Sequence, residues 1–240
     1  MSRPEVGFGL VWRLEWLRAW RRPRLLRLNI IIPLLLVAPV ALGAAPQAHA
    51  AAVYVVLFAL FGTFGAAIPA LRDAEQGLIR RLAVASLDAR MVLLARGLAN
   101  AFLDAIQLLP ALMFIVVTSG RSPGATLSLA AVLLGSLTFA NLAGLWVAAL
   151  ARSVAEGALF ASVITLLLLH ASGAFRTPTP GSLGAWVEAV APYRALHELL
   201  LGGEDIQVGG LVVCLAAVLA VTYARAARIL ASLARADARA

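Results

Sequence analysis

Four polar residues interrupt one of the most apolar stretches of this 240-residue chain: Arg96, Asn100, Asp104 and Gln107. Their spacings of four, four and three place them on one face of an α-helix. Asp104 stands about 12 Å beyond Arg96 along such a helix, deep in a hydrocarbon core of about 30 Å. A carboxylate at mid-span costs roughly 2.5–3.5 kcal/mol on insertion scales, so it must face protein or a water-filled cavity. Two roles fit: a substrate or proton pathway, or helix packing with Asp104 bonded to an amide, hydroxyl or Arg of a neighbouring helix. The sequence leaves both open for Asn100, Asp104 and Gln107.

Other constellations exclude chemistry. All 20 basic residues are Arg. Without Lys, and without GxxxxGK(S/T), the chain cannot hydrolyse ATP alone by P-loop chemistry. His170 and Ser172 lie two apart on one helix, a poor base–nucleophile pair with no third group to orient it. Asp73 and Glu75 have no partner DxxD motif to hold a metal. Cys214 is the sole cysteine, which excludes an intrachain disulfide and a Cys-cluster metal site. No catalytic, cofactor-binding or metal site is expected in this chain. The arginines border apolar runs and the aromatics lie inside those runs, so nucleic acid is not an expected partner.

The elements that must position these residues follow from composition. Apolar residues make up 62% and charged residues 13%, with mean hydropathy +0.92. A soluble domain needs about a quarter charged residues, so lipid is the main solvent and the units are spans of roughly 20 residues. From Leu28 to Leu71 no residue carries a fixed charge, enough for two spans broken at Gly43–His49. Further spans are predicted at Gly97–Thr118, within Ser122–Ala151, within Gly157–Phe175 and within Ile206–Ala224. The fold class is therefore all-α, with six transmembrane helices.

Seven Arg precede the first span, five lie in Arg72–Arg96, one is Arg152 and four are in the tail; the alternate side has Arg121, Arg176 and Arg194. By the positive-inside rule both termini are expected in the cytoplasm, as six spans require, in an inner (plasma) membrane. Ala48-His49-Ala50 matches a signal-peptidase site, but the basic region runs to Arg27 and the following apolar run is long enough to span. The expected organisation is a connecting helix at 1–27, a transmembrane domain at 28–226 and a cytoplasmic tail at 227–240.

Phe8, Trp12, Trp16 and Trp20 recur every four residues in Val6–Arg22, with Glu15, Arg18 and Arg22 toward the opposite side. This describes an interfacial helix, Trp at the headgroup level and Arg reaching lipid phosphates. In 72–90 the acidic residues come first and the Arg residues last, matching a helix macrodipole. Leu71, Leu78 and Leu82 form an apolar strip beneath, and Ser86 and Asp88 offer a cap for the next helix. In 176–207, Thr177-Pro178-Thr179-Pro180-Gly181 breaks the fifth helix. Leu183, Trp186, Val187 and Val190 then form a short apolar face ending near Pro192, and Tyr193–Leu201 reads as a second short helix.

The loop Asp73-x-Glu75-x-Gly77-x-x-x-Arg81-Leu82 after the second span is the first of two motifs. The second runs from Ser172-Gly173-Ala174-Phe175 through Ala191-Pro192-Tyr193 to Leu199-Leu200-Leu201-Gly202-Gly203. With this topology, the chain resembles the permease subunits of type-2 ABC exporters over nearly its whole length. The resemblance implies an ATPase-coupling helix holding Asp73, Glu75, Gly77, Arg80, Arg81 and Leu82. It implies a connecting helix with Trp12, Trp16 and Arg18, and an outer gate with Trp186, Pro192 and Tyr193. It further implies a separate cytoplasmic P-loop ATPase subunit carrying ATP and Mg, and a second permease copy, identical or different. The cargo would be small or amphipathic, a drug or lipid-like molecule. A haem-exporter B-subunit-like permease and a non-transporting membrane scaffold are the alternatives.

Overall fold

The computed structural model describes residues 4–43, 45–84, 87–176, 179–203 and 207–236. Ser86, Thr177, Pro178, Ile206, Arg3 and Arg239, used above, lie outside these. Ten helices follow in order: α1 (Pro4–Arg21), α2 (Pro23–Leu42), α3 (Gln47–Glu75), α4 (Leu78–Val84), α5 (Ala89–Ser119), α6 (Pro123–Leu150), α7 (Val154–Ala171), α8 (Leu183–Ala189), α9 (Arg194–Leu200) and α10 (Gly209–Ala236). Among the described residues there is no strand. Among the described residues six helices, α2, α3, α5, α6, α7 and α10, are long and apolar enough to cross a bilayer.

Local chemistry sets the boundaries. Proline disfavours helical backbone in the residue before it, so Arg22 leaves the helix (ψ 61°) and Pro23 opens α2. Residues 23–27, assigned from sequence to the connecting helix, thus belong to the helix of the first span. The turn before α3 is shorter than expected, because Pro46 caps it and Gln47–His49 are already helical. Asp88 accepts from the Arg90 amide and starts α5, the predicted cap, and Ser122 does the same for α6 ahead of Pro123. The fifth span stops well before the Thr-Pro repeat: Gly173 takes φ 76° and the Ala174 amide donates back to Leu169 O at 3.2 Å. This left-handed closure ends α7 at Ala171.

The core is built on α3 and α6, which approach closely through small residues. A Cβ on Gly144 would lie 2.5 Å from the Thr63 carbonyl oxygen, and one on Gly62 would lie 2.7 Å from the Ala140 Cβ. α7 joins the pair through Thr165, whose hydroxyl donates to Thr63 Oγ at 3.1 Å. By contrast α2, α7 and α10 bury little of their apolar surface; large exposed side chains such as Leu35, Leu167 and Val213 suit a lipid solvent.

The last helix differs from expectation in length. It continues past Ala224 to Ala236, and Ala226, Ile229, Leu230 and Leu233 are buried among Leu71, Ile79 and Val92. Residues 227–236 are therefore a packed helical extension of the sixth span. The Arg90 guanidinium lies over the Tyr223 ring, 4.4 Å from its centroid, and Ser232 donates to Ala149 O at 2.5 Å, fixing this extension to α5 and α6.

Candidate functional site

At the Arg-rich end, α1 lies against α5 with Val11 and Glu15 inward. The sequence reading set Glu15 with Arg18 and Arg22 toward the side of an interfacial helix opposite the aromatics; the structure turns it into the protein. The reason is a partner 81 residues away. Arg96, only 2% exposed, pairs with Glu15 at 3.6 Å and also donates to Asp73. Arg18 donates to the same Asp73 oxygen at 2.8 Å and to Glu15 at 3.5 Å. Two guanidiniums and two carboxylates thus cancel while tying α1, α3 and α5 together. A buried charge is tolerable only when paired in this way.

The tryptophans divide. Trp12 stacks on Phe8 at 6.1 Å and meets Phe102 of α5 edge-on at 5.6 Å, while Trp16 is half-buried. Trp20 is 67% exposed and alone keeps the fully outward position expected of the set.

The loop after α3 is not one helix with acids first. Asp73 and Glu75 end α3, Gly77 takes φ 70°, and α4 begins at Leu78. The macrodipole reading of 72–90 is corrected accordingly: the carboxylates sit at a helix C-terminus, an unfavourable place, and Asp73 is held there by Arg18 and Arg96. The six residues of the loop motif point different ways. Asp73 is turned into the ion network, and Glu75 reaches the α6–α7 turn, accepting from the Val154 amide at 3.4 Å. Gly77 makes the turn, Leu82 packs on the apolar cluster beneath, and Arg80 and Arg81 are exposed. Ile79, 2% exposed, is the main anchor of α4; the expected leucine strip missed it, although its spacing from Leu82 was readable.

The polar file of α5 is buried along its length, with Asn100 8%, Asp104 6% and Gln107 6% exposed. Asn141 of α6 donates from Nδ2 to Asp104 Oδ2 at 2.8 Å and to its own Leu137 carbonyl at 2.9 Å. Across from it, a Cβ on Gly65 would lie 2.7 Å from the same carboxylate, so only glycine lets α3 close over Asp104. A cleft of about 510 Å³ runs along this file between α1, α2, α3 and α5. Asn100, Asp104 and Gln107 form one wall, and Leu57, Leu60, Phe61 and Phe64 another; Arg18, Arg22 and Arg72 stand toward the Arg-rich end. Asn100 Nδ2 and Gln107 Oε1 have no hydrogen-bond partner.

The opposite end is organised by backbone capping. Arg121 donates to Leu199 O at 2.5 Å and Leu200 O at 3.0 Å, satisfying carbonyls that end α9. Burial pushes the Arg121 guanidinium below its ordinary value. Gln47 adds a bond to Leu201 O at 2.6 Å. Tyr193 is fully buried, edge-on to Phe139 at 6.0 Å, and burial raises its phenol. The Ser172 hydroxyl donates to Leu168 O and accepts from the Tyr193 amide, so its bonds are structural. Pro192 is buried beside Tyr193, whereas Trp186 of α8 is 72% exposed. The three outer-gate residues therefore do not converge on one point. Burial holds the His197 imidazole below its ordinary value, opposed by the neighbouring Glu198 carboxylate.

Among the described residues no group of three His, Cys, Asp or Glu side chains gathers as a metal site would. What these helices define is a multi-pass integral membrane protein with a mainly apolar cleft that carries one polar wall. The sequence matches the ABC-2 type transporter family over residues 7–204. The chain belongs to that family and is a transporter permease. No curated protein matches it. Permeases of this family generally work with an ATPase subunit.

Proposed function

We propose that this permease couples ATP hydrolysis by a separate cytoplasmic P-loop ATPase subunit to export of a small or amphipathic substrate. The observation that carries the reading is the construction of the Arg-rich end. There α4 turns on Gly77 and is anchored through Ile79 and Leu82, with Arg80 and Arg81 outward. A short helix anchored on its inner face and charged on its outer face suits a surface that is pushed. In this reading both termini and α4 face the cytoplasm of a plasma-membrane protein, as the distribution of Arg supports. ATP and Mg belong to the partner, and two permease copies enclose the path. Movement of α4 passes into α3 and α10, on which it packs, and shifts a two-state membrane domain. The Arg18–Asp73–Arg96–Glu15 network makes α1 move with α3 and α5 as a unit.

The test is a mild-detergent pull-down of the tagged chain from native membranes, followed by vanadate-sensitive ATP hydrolysis and transport. A P-loop ATPase is expected to co-purify. Arg80→Glu with Arg81→Glu, both at exposed positions, should abolish its transport-linked hydrolysis with membrane insertion unchanged. Wild-type coupling in that double variant, or a chain that purifies alone in several detergents, would overturn the assignment.

A further inference from the structure

We propose that the cleft between α1, α2, α3 and α5 binds an anionic amphiphile. Its head would rest on Arg22 and Arg72, its apolar body on Leu57 and Phe61, and separate polar groups of its stem on Asn100 and Gln107. The site stands on geometry alone; only its assignment to cargo rests on the exporter reading.

Three observations converge. Asn100 Nδ2 is a donor and Gln107 Oε1 an acceptor, both belong to residues more than nine-tenths buried, both line the cleft, and both lack partners. Buried polar groups are normally satisfied, so this donor and acceptor, enclosed in the wall of the cleft, are unspent bonding capacity that rotation of either amide would present to a ligand. The two lie seven residues, about 10 Å, apart along α5, so separate acceptor and donor groups of the ligand's stem meet them.

Charge selects the head. Glu15 and Asp73 are matched by Arg18 and Arg96, whereas Arg22 and Arg72 make no ion pair among the described residues. Two uncompensated guanidiniums at the cleft's charged end favour a phosphate or carboxylate, which Arg engages through paired N–H groups. They repel a cationic head.

Length and shape complete the match. Arg72 is one helical stretch of about 10 Å from Gly65, where the Asp104 carboxylate lies, and about 22 Å from Leu57. The cleft volume of about 510 Å³ falls within the usual range for ligand sites, roughly 300–1,000 Å³. Asp104, already bonded to Asn141, meets the stem of such a molecule and not its head.

The experiment uses the chain in phosphatidylcholine nanodiscs and a lysophosphatidate, whose glycerol hydroxyl and ester supply polar groups on the stem, carrying a mid-chain diazirine. After irradiation, adducts are mapped by peptide mass spectrometry, with octadecyl phosphate, octadecanol and octadecyltrimethylammonium as competitors. Adducts are expected within 57–64 and 100–107, with octadecyl phosphate competing about tenfold better than the other two. Arg22→Gln with Arg72→Gln should erase that preference. Leu60→Trp should suppress labelling by filling the cleft, with helix content checked by circular dichroism. Adducts spread over α7 and α10, or equal competition by all three amphiphiles, would overturn the site, as would indifference to the arginine pair.

In the complex with its ATPase, loss of labelling on adding ATP would identify the occupant as cargo; unchanged labelling would identify a resident membrane lipid. Both results keep the site. Failure of labelling beside intact ATPase coupling removes only this site, and labelling of a chain with no ATPase removes only the exporter reading.

Discussion

Two neighbouring stretches of α5 handle buried polarity in opposite ways. At Arg96 the charge is matched by two carboxylates, Glu15 from α1 at ion-pair distance and Asp73 from α3 through a hydrogen bond. One turn further on, Asn100 and then Gln107 are also buried and line the cleft, but each keeps one enclosed amide atom without a hydrogen-bond partner. The first arrangement joins helices; the second leaves hydrogen-bonding capacity for something else. The same helix face is thus a joint at one level and a recognition surface at the next.

The sharpest way to break this contrast is at the joint. Arg96→Leu strands two carboxylates against a lone Arg18, and breaking a buried pair costs about 3–5 kcal/mol. A large fall in the thermal midpoint in detergent is expected, with Arg96→Lys rescuing only part of it because the planar fork is lost. Arg121→Met removes two charge-assisted bonds to α9 and should cost about 1.5–3 kcal/mol, visible as faster amide exchange in 194–201. Asn100→Leu should behave oppositely to Arg96→Leu. Removing an unmatched buried donor is expected to leave the midpoint unchanged or to raise it by about 1 kcal/mol of stability. A loss as large as that of Arg96→Leu would show Asn100 to be part of the joint after all.

The smallest effect extends the contrast to the far end, where His197 Nε2 is also buried without a partner. Its folded value lies below the ordinary one of about 6.5. The unfolded chain therefore takes up the proton first as pH falls. Stability of α9 is complete above about pH 6.5 and declines below it through the folded value. The protection factors of the α9 amides, that is exchange corrected for its intrinsic rate at each pH, should fall on acidification in wild type and lose that pH dependence in His197→Gln.

Some of this was legible along the chain and some could not be. The six spans follow from hydropathy and length, and the shared face of Arg96, Asn100, Asp104 and Gln107 follows from helical period, because both are local properties. Glu15 was misplaced because its partner Arg96 is remote in sequence; taken alone, a carboxylate on a helix bearing four large aromatics belongs outside. Asp73 and Glu75 were read as helix-starting acids because Gly77, whose positive φ ends α3, was taken as interior to one segment. The extension of α10 carries a readable apolar pattern at 226, 229, 230 and 233, but Arg225, Arg228 and Arg235 among and around those positions made it look like a tail. The cleft was out of reach from sequence, since Gly65, Leu25 and Asn29 acquire meaning only when α2 and α3 meet α5.

The unbroken course of α10 has a mechanical consequence. Its 28 residues form a rod of about 42 Å that packs on α4 toward one end and α9 toward the other. Near its middle, Thr222 accepts a hydrogen bond from the Trp146 indole of α6 at 2.9 Å. Beyond it Ser232 is tied to the same helix, so the half of the rod at the Arg-rich end travels with α6, and a step taken there would be carried about 20 Å along the free half to the α9 contact at the opposite surface.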